Sequence, residues 1–326
     1  MTTLKLFQIL SLLLVATFCS CSKEDAPVQE EDKFYTVSLK FNGDITTADS
    51  PLTRGTATDD LYGLIIWQDG SIFGGGLYDN VEDMKVRLQS TKKYKFVVTA
   101  VKNGKNVIDN DSEGYFYPFY YTYKYNNNTF RYPMVLSNKL LNNISSDYYN
   151  SFKSGYSYMK SGNGFYSSYY YPETDRFYGE LDNYIPTENG VVNMDLKRTA
   201  FGLQYKVSGV SDGTVTVTIK NSRQTFFNKS DITADYSSEE KVITFEDVYS
   251  AWQYADNYTE KVTVSASWAR GIGITQNLGS KEVIVKRNKM NIINIKLSTD
   301  ESGNNLGIDV ESDSDMNDES VTIPLG

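Results

Sequence analysis

Apolar and polar residues change places with a period of two along much of this chain, the pattern of half-buried β-strands. Val37, Leu39 and Phe41 share one face, while Thr36, Ser38 and Lys40 share the other. Phe96, Val98 and Ala100 repeat the pattern, as do Leu203, Tyr205 and Val207. Val215, Val217 and Ile219 oppose the threonines at 214, 216 and 218. Val262, Val264, Ala266 and Trp268 form another set, and Ile293, Ile295 and Leu297 one more. Residues 61–67 and 283–285 are more continuously apolar, as central strands are. Turn signals separate these runs: Asn42-Gly43, Asp69-Gly70, Asn103-Gly104, Asp212-Gly213 and Ser302-Gly303. Strands at short spacing without regular helices between them predict an all-β fold of antiparallel sandwiches.

Helix is predicted only at 134–149 and 245–258. In the second segment Val248, Trp252 and Ala255 share a face, and Glu246 and Asp247 suit an N-terminal turn. Pro186 and Gly190 interrupt the strand pattern within 184–190, and a fresh series of strands follows. This places one sandwich at 33–188 and a second at 189–326. The segment 115–184 holds 17 of the 26 tyrosines, with few aliphatic residues. It is either an elaborated surface of the first sandwich or an aromatic binding face, for which Tyr169, Tyr170 and Tyr171 are candidates.

Composition narrows the chemistry. The 326 residues include no His, so no Ser-His-Asp triad, Cys-His dyad or His metal site is available. A net charge of -9 argues against nucleic acid as a partner. Both cysteines lie at the end of an N-terminal apolar run, leaving none for a zinc ribbon or a disulfide framework. Adjacent acids occur at Asp59-Asp60, Glu82-Asp83 and Glu239-Glu240, as chance allows among 41 carboxylates. Gly74-Gly75-Gly76 lacks the frame of a phosphate-binding loop. The acidic run 313–319 starts like a calcium loop, but Asp318 replaces the loop glycine and Pro324 the bidentate glutamate. It reads as a solvated hairpin tip. No cofactor and no catalytic residue is expected.

Residues 1–20 read as a secretion signal, with Lys5 before an apolar stretch centred on 12–15. Its end resembles a bacterial lipobox, with Cys21 as the acylated first residue and Phe18 where such motifs have Leu. The alternative is an ordinary cleaved signal. Residues 21–32 form a polar, acidic tether, similar to the surface-export signal of Bacteroidetes lipoproteins.

After the tether come the strand 35–41, a loop ending Ser50-Pro51-Leu52-Thr53-Arg54-Gly55, and the apolar strand 61–67. Later come Leu196-Lys197-Arg198-Thr199-Ala200 and Lys286-Arg287-Asn288, each leading into a strand. This layout resembles the fimbrillin family of Bacteroidetes, the type V pilin proteins. The resemblance covers most of the chain beyond the tether, apart from the tyrosine-rich insertion. It implies two tandem transthyretin-like β-sandwich domains and export as a surface-exposed outer-membrane lipoprotein. It further implies that a trypsin-like protease cuts between Arg54 and Gly55, releasing the lipid and the strand of Val37, Leu39 and Phe41. A groove with unpaired backbone groups is left behind, which a strand from the next subunit fills. Head-to-tail filling propagates as a fibre. The C-terminal segment is the candidate donor, with Val321, Ile323 and Leu325 on one face.

The implied partners are other fimbrial subunits, the outer membrane through the lipid, the protease, and a host or bacterial surface receptor. Alternatives stand beside each step. Arg54 is equally an ordinary loop arginine, the C-terminal segment an ordinary closing strand, and the subunit a shaft, tip or anchor. A surface glycan-binding lipoprotein using Tyr169, Tyr170 and Tyr171 is the second reading, and a hydrolase using carboxylates the third.

Overall fold

A computed structural model of the chain describes residues 32–45, 59–105, 115–161, 164–170, 173–270, 275–297 and 306–316. Its strands are β1 (Phe34–Gly43), β2 (Leu61–Gln68), β3 (Ser71–Tyr78), β4 (Lys85–Gln89), β5 (Tyr94–Val101), β6 (Tyr115–Tyr117), β7 (Tyr120–Tyr125) and β8 (Asn128–Pro133). Helix α1 (Tyr148–Phe152) follows, then β9 (Ser157–Ser161), β10 (Gly164–Tyr170), β11 (Arg176–Tyr184) and β12 (Gly190–Arg198). The remaining strands before the second helix are β13 (Ala200–Ser208), β14 (Thr214–Lys220), β15 (Thr225–Ile232), β16 (Tyr236–Ser237) and β17 (Lys241–Thr244). Helix α2 (Val248–Gln253), β18 (Thr259–Ala269), β19 (Thr275–Lys286), β20 (Lys289–Leu297) and β21 (Leu306–Asp315) complete the order. Every strand expected from alternation is present, and the fold is all-β.

The first sheet runs β3-β2-β5-β11-β12-β1-β4. β11 and β12 pair only at Phe177↔Arg198 and Tyr178↔Lys197, and the sheet folds back on itself there. Val37, Leu39, Phe41, Val86, Met194 and Leu196 thereby pack against Leu64, Ile66, Phe96 and Val98. The other face of β2 and β5, with Leu61, Ile65, Val97 and Val101, packs under Phe119, Met134, Tyr148, Phe152 and Val248. Both faces of β2 are therefore covered, which is why its sequence is continuously apolar. In the second half the sheet of β13, β16, β17, β20 and β21 faces the sheet β15-β14-β18-β19 across one core.

Three expectations are corrected. The sandwiches are not wholly antiparallel, because β1 pairs in parallel with β12, and β13 with β20. In each half the first strand lies beside one reached only after the opposite layer is built, so both run the same way. The residues of the first core end at Leu196 and those of the second begin at Phe201. β12 contributes Val192, Met194 and Leu196 to the first core, and Phe201 opens the second. Residues 134–149 are no helix except at their end. They form an extended strap that bridges to β3 at Leu77↔Leu136 and Gly75↔Leu141. The close approach explains the glycine triplet: a Cβ on Gly76 would meet the Lys139 carbonyl oxygen at 2.2 Å. Asp313 and Asp315 lie in β21, paired along β20, and not at a hairpin tip.

Buried arginines hold the seam at Thr199. Arg198 donates to both oxygens of Asp175, at 2.8 and 2.9 Å, and to Asn288 Oδ1 at 2.9 Å and the Met316 carbonyl. Arg176 is fully buried, and its guanidinium donates to the carbonyls of Ser151 (3.1 Å), Ser154 (2.6 Å) and Pro118 (3.4 Å), pinning the overlying segment to β11. Removing one partner of a buried ion pair leaves an uncompensated charge, so Asp175→Ala is expected to cost about 3–5 kcal/mol. The double variant of Arg198→Ala and Asp175→Ala should lose less than the sum of the single changes. Urea unfolding of the three variants measures this, and strictly additive losses would refute the coupling.

Candidate functional site

The site of interest is the slot that β1 fills. β1 lies between β12, its parallel neighbour, and β4, its antiparallel one. Alternation directs Val37, Leu39 and Phe41 inward, where they are 0%, 5% and 1% exposed. Phe41 stacks on Tyr62 of the facing layer with ring centroids 5.6 Å apart. The three residues proposed from sequence to form the displaced strand are thus brought together in the first core. Burying such side chains contributes about 1.5–3 kcal/mol each. Without β1, the apolar faces of β2 and β5 would meet water, and β12 and β4 would each lose a neighbour.

The strand is tied at its end. Gly43 has φ +90, and a Cβ there would meet the Leu196 carbonyl oxygen at 2.6 Å, so glycine is required. Asp44 then turns into the seam. Its Oδ2 accepts from the Arg198 backbone N–H at 2.9 Å and from Arg287 Nη1 at 2.6 Å. Arg287 Nη1 also donates to the Arg198 carbonyl at 2.8 Å. Sequence reasoning did not single out Asp44. The Asn42-Gly43 turn signal directly before it was the available cue. At the other end Phe34 is half exposed, with the Arg87 guanidinium 4.7 Å over its ring.

Cys21, Arg54, Gly55, Tyr171, Val321, Ile323 and Leu325 lie outside the described residues. Tyr169 and Tyr170 fall in β10, paired with Tyr158 and Ser157 of β9, and not on the first sandwich's sheet. Several other tyrosines of that segment cover β2, β5 and β11. Tyr148 is buried in that cover, Tyr178 is buried on β11 itself, and Tyr121 stacks on Tyr132 at 5.0 Å. Among the described residues no cluster of three or more acidic or sulfur side chains could hold a metal ion. Among the adjacent acids, Asp60 accepts from the Asn103 N–H at 2.9 Å, and Glu82 and Asp83 lie in a short 3-10 turn capped by Asn80.

One carboxylate is unusual. Burial pushes Glu260 up to about 7, the Asn221 amide pulls it back, and the Glu246 carboxylate adds to the rise. Glu246 is itself engaged by Arg223 at 2.6 Å and by the Tyr156 hydroxyl. The folded state therefore keeps a proton on Glu260 at a pH where the unfolded chain has lost it. This term favours folding fully below about 4.5 and is lost as pH rises through about 7.

Two outcomes follow from these environments. Phe41→Ala is expected to cost about 3–5 kcal/mol, while Lys40→Ala on the exposed face costs under about 0.5 kcal/mol. Equal melting temperatures for the two variants would contradict the placement of β1. Glu260→Gln should match the parent at pH 4.5 and exceed it at pH 8 by roughly 1–3 kcal/mol, read from thermal unfolding at both pH values.

No protein-family model and no curated protein matches the chain. Solved structures do. The fimbrial anchor protein Mfa2 from Porphyromonas gingivalis is 10% identical, with 86% of this chain and 98% of that one covered, at a TM-score of 0.37. A fimbrial assembly protein from Parabacteroides distasonis is 12% identical, with 86% and 97% covered, at a TM-score of 0.38. These fimbrial proteins of two bacterial species are what the chain is similar to, at low identity over nearly its whole length.

Proposed function

We propose that the protein is a fimbrial structural subunit or adhesin, made as a lipoprotein anchored through Cys21, in which β1 is a removable plug. The observation that carries this reading is the position of β1. It is an interior strand of its sheet, yet it is the first strand among the described residues, followed along the chain by residues 44–60 and then β2. A cut after Arg54 severs that connection. β1 then stays by packing, ladder hydrogen bonds and the Asp44 contacts alone. A neighbour's strand of matching alternation replaces those interactions one residue pair at a time, so no step exposes the whole slot. Val321, Ile323 and Leu325 supply such a pattern. Met316, five residues before Val321, is held at the seam by Arg198, where β1 also ends.

Anchoring and release follow from the same cut. Acyl chains on Cys21 contribute about 0.8 kcal/mol per buried CH₂, which holds the precursor at the outer membrane. Losing residues before Gly55 frees it into a head-to-tail polymer.

Sequencing the N-terminus of the surface form tests this. The expected result is a chain starting at Gly55, with Arg54→Ala trapping an acylated, non-polymerising precursor. Finding acylated Cys21 as the sole N-terminus of the parent would sink the polymerising reading.

A further inference from the structure

A second site lies away from β1. The Asp69-Gly70 turn between β2 and β3, the start of β5 and the end of β11 converge on a cleft of about 550 Å³. That volume is within the range of small-molecule sites, about 300–1,000 Å³. Trp67 and Tyr149 line it, their rings 4.9 Å apart and edge to face. Lys93, Lys95, Asp69 and Asp182 line it as well, with Asp69 ion-paired to Lys92 at 3.1 Å. We propose that this cleft binds a neutral saccharide, its C–H face against Trp67 and its hydroxyls on the surrounding lysines and aspartates.

The charge balance selects the ligand class. A phosphate or sulfate would meet Asp69 and Asp182, and an ammonium would meet Lys93 and Lys95. A hydroxyl group both donates and accepts, so it is satisfied by a wall carrying both signs. The aromatic pair adds an apolar surface, which a sugar ring matches and water does not. Amphipathic ligands of this kind need the polar groups held in place, and here they are. Lys95 Nζ is bound to Glu180 at 2.5 Å and lies 3.3 Å from Asp182. Tyr149 donates its hydroxyl to the same Glu180 at 2.7 Å. Burial disfavours the Glu180 charge, but donors from Lys95, Tyr178 and Tyr149 hold its carboxyl below the usual range.

The backbone is also shaped for the cleft. The β11–β5 register shifts between Leu181 and Tyr184, and Asn183 has φ 59, in the left-handed region. Such a bulge re-aims side chains out of the strand's alternation. Asp182 and Asn183 both line the cleft as a result. This site does not rest on strand exchange, since none of its residues belongs to β1.

The test presents the full chain to an array of neutral hexose and N-acetylhexosamine oligosaccharides, with sialylated and sulfated glycans and peptides alongside. Titration of the best neutral oligosaccharide into variants follows. The expected result is retention of a neutral oligosaccharide, weakened at least about tenfold (roughly 1.4 kcal/mol) by Trp67→Ala and by Asp182→Ala, with Tyr169→Ala binding as the parent does. Asp182 is on the surface, so its variant decides the matter should Trp67→Ala fail to fold. Retention of charged glycans or peptides alone, no retention at all, or unchanged affinity in Asp182→Ala overturns the proposal.

Discussion

The Arg198–Asp175 ion pair is the buried contact around which the seam between the two cores is built. Burying a guanidinium and a carboxylate carries a desolvation cost of several kcal/mol per ion, which only close, well-directed partners repay. Arg198 finds them in two Asp175 oxygens, the Asn288 side chain and the Met316 carbonyl. Those partners come from the residue just before β11, from the β19–β20 turn and from the residue just after β21. Arg287 adds Asp44, at the exit of β1. Five distant stretches of chain are thus referred to one point. An arrangement that separated these stretches would take Asp175, Asn288 and the Met316 carbonyl away from the buried Arg198 guanidinium.

The slot of β1 follows from the same geometry. One end of the strand is locked to the seam through Gly43 and Asp44, and the middle is locked by Val37, Leu39 and Phe41. The opposite face of the sheet is closed by the tyrosine-rich segment. Tyrosine suits that layer because its ring buries while its hydroxyl finds a partner. Tyr148 donates to the Pro133 carbonyl at 3.2 Å, and Tyr149 and Tyr178 both donate to Glu180. A leucine-rich cover would bury as well but could not end in water. The slot of β1 and the aromatic cover therefore occupy opposite faces of the β2–β5 layer, and the proposed saccharide cleft opens at its edge.

Much of this was legible in advance, and the failures have causes. Within 134–149, where a helix was expected, Leu136, Leu140, Ile144 and Tyr148 recur every four residues. A strap whose side chains touch a sheet at intervals has similar spacing. Gly74-Gly75-Gly76 held the better clue, since glycines inside a strand mark a close backbone approach. In the helical segment 245–258, Asp247 does cap the turn, accepting from the Ser250 N–H at 2.8 Å. Glu260, by contrast, is marked by nothing in its neighbourhood of the chain. Its environment is assembled from Asn221 and Glu246, both distant in sequence.

Strand positions, the inward set Val37, Leu39 and Phe41, and the scarcity of helix were determined by sequence alone. Successive side chains on an extended backbone point to opposite faces, so each residue's neighbours two positions away record which face is buried. Which strand lies beside which was decided only in three dimensions. The parallel partners of β1 and β13, the seam at Thr199 and the meeting of Trp67 with Tyr149 depend on segments tens to hundreds of residues apart. Their pairing is chosen by the whole set of buried faces and buried charges at once, and no local pattern carries that information.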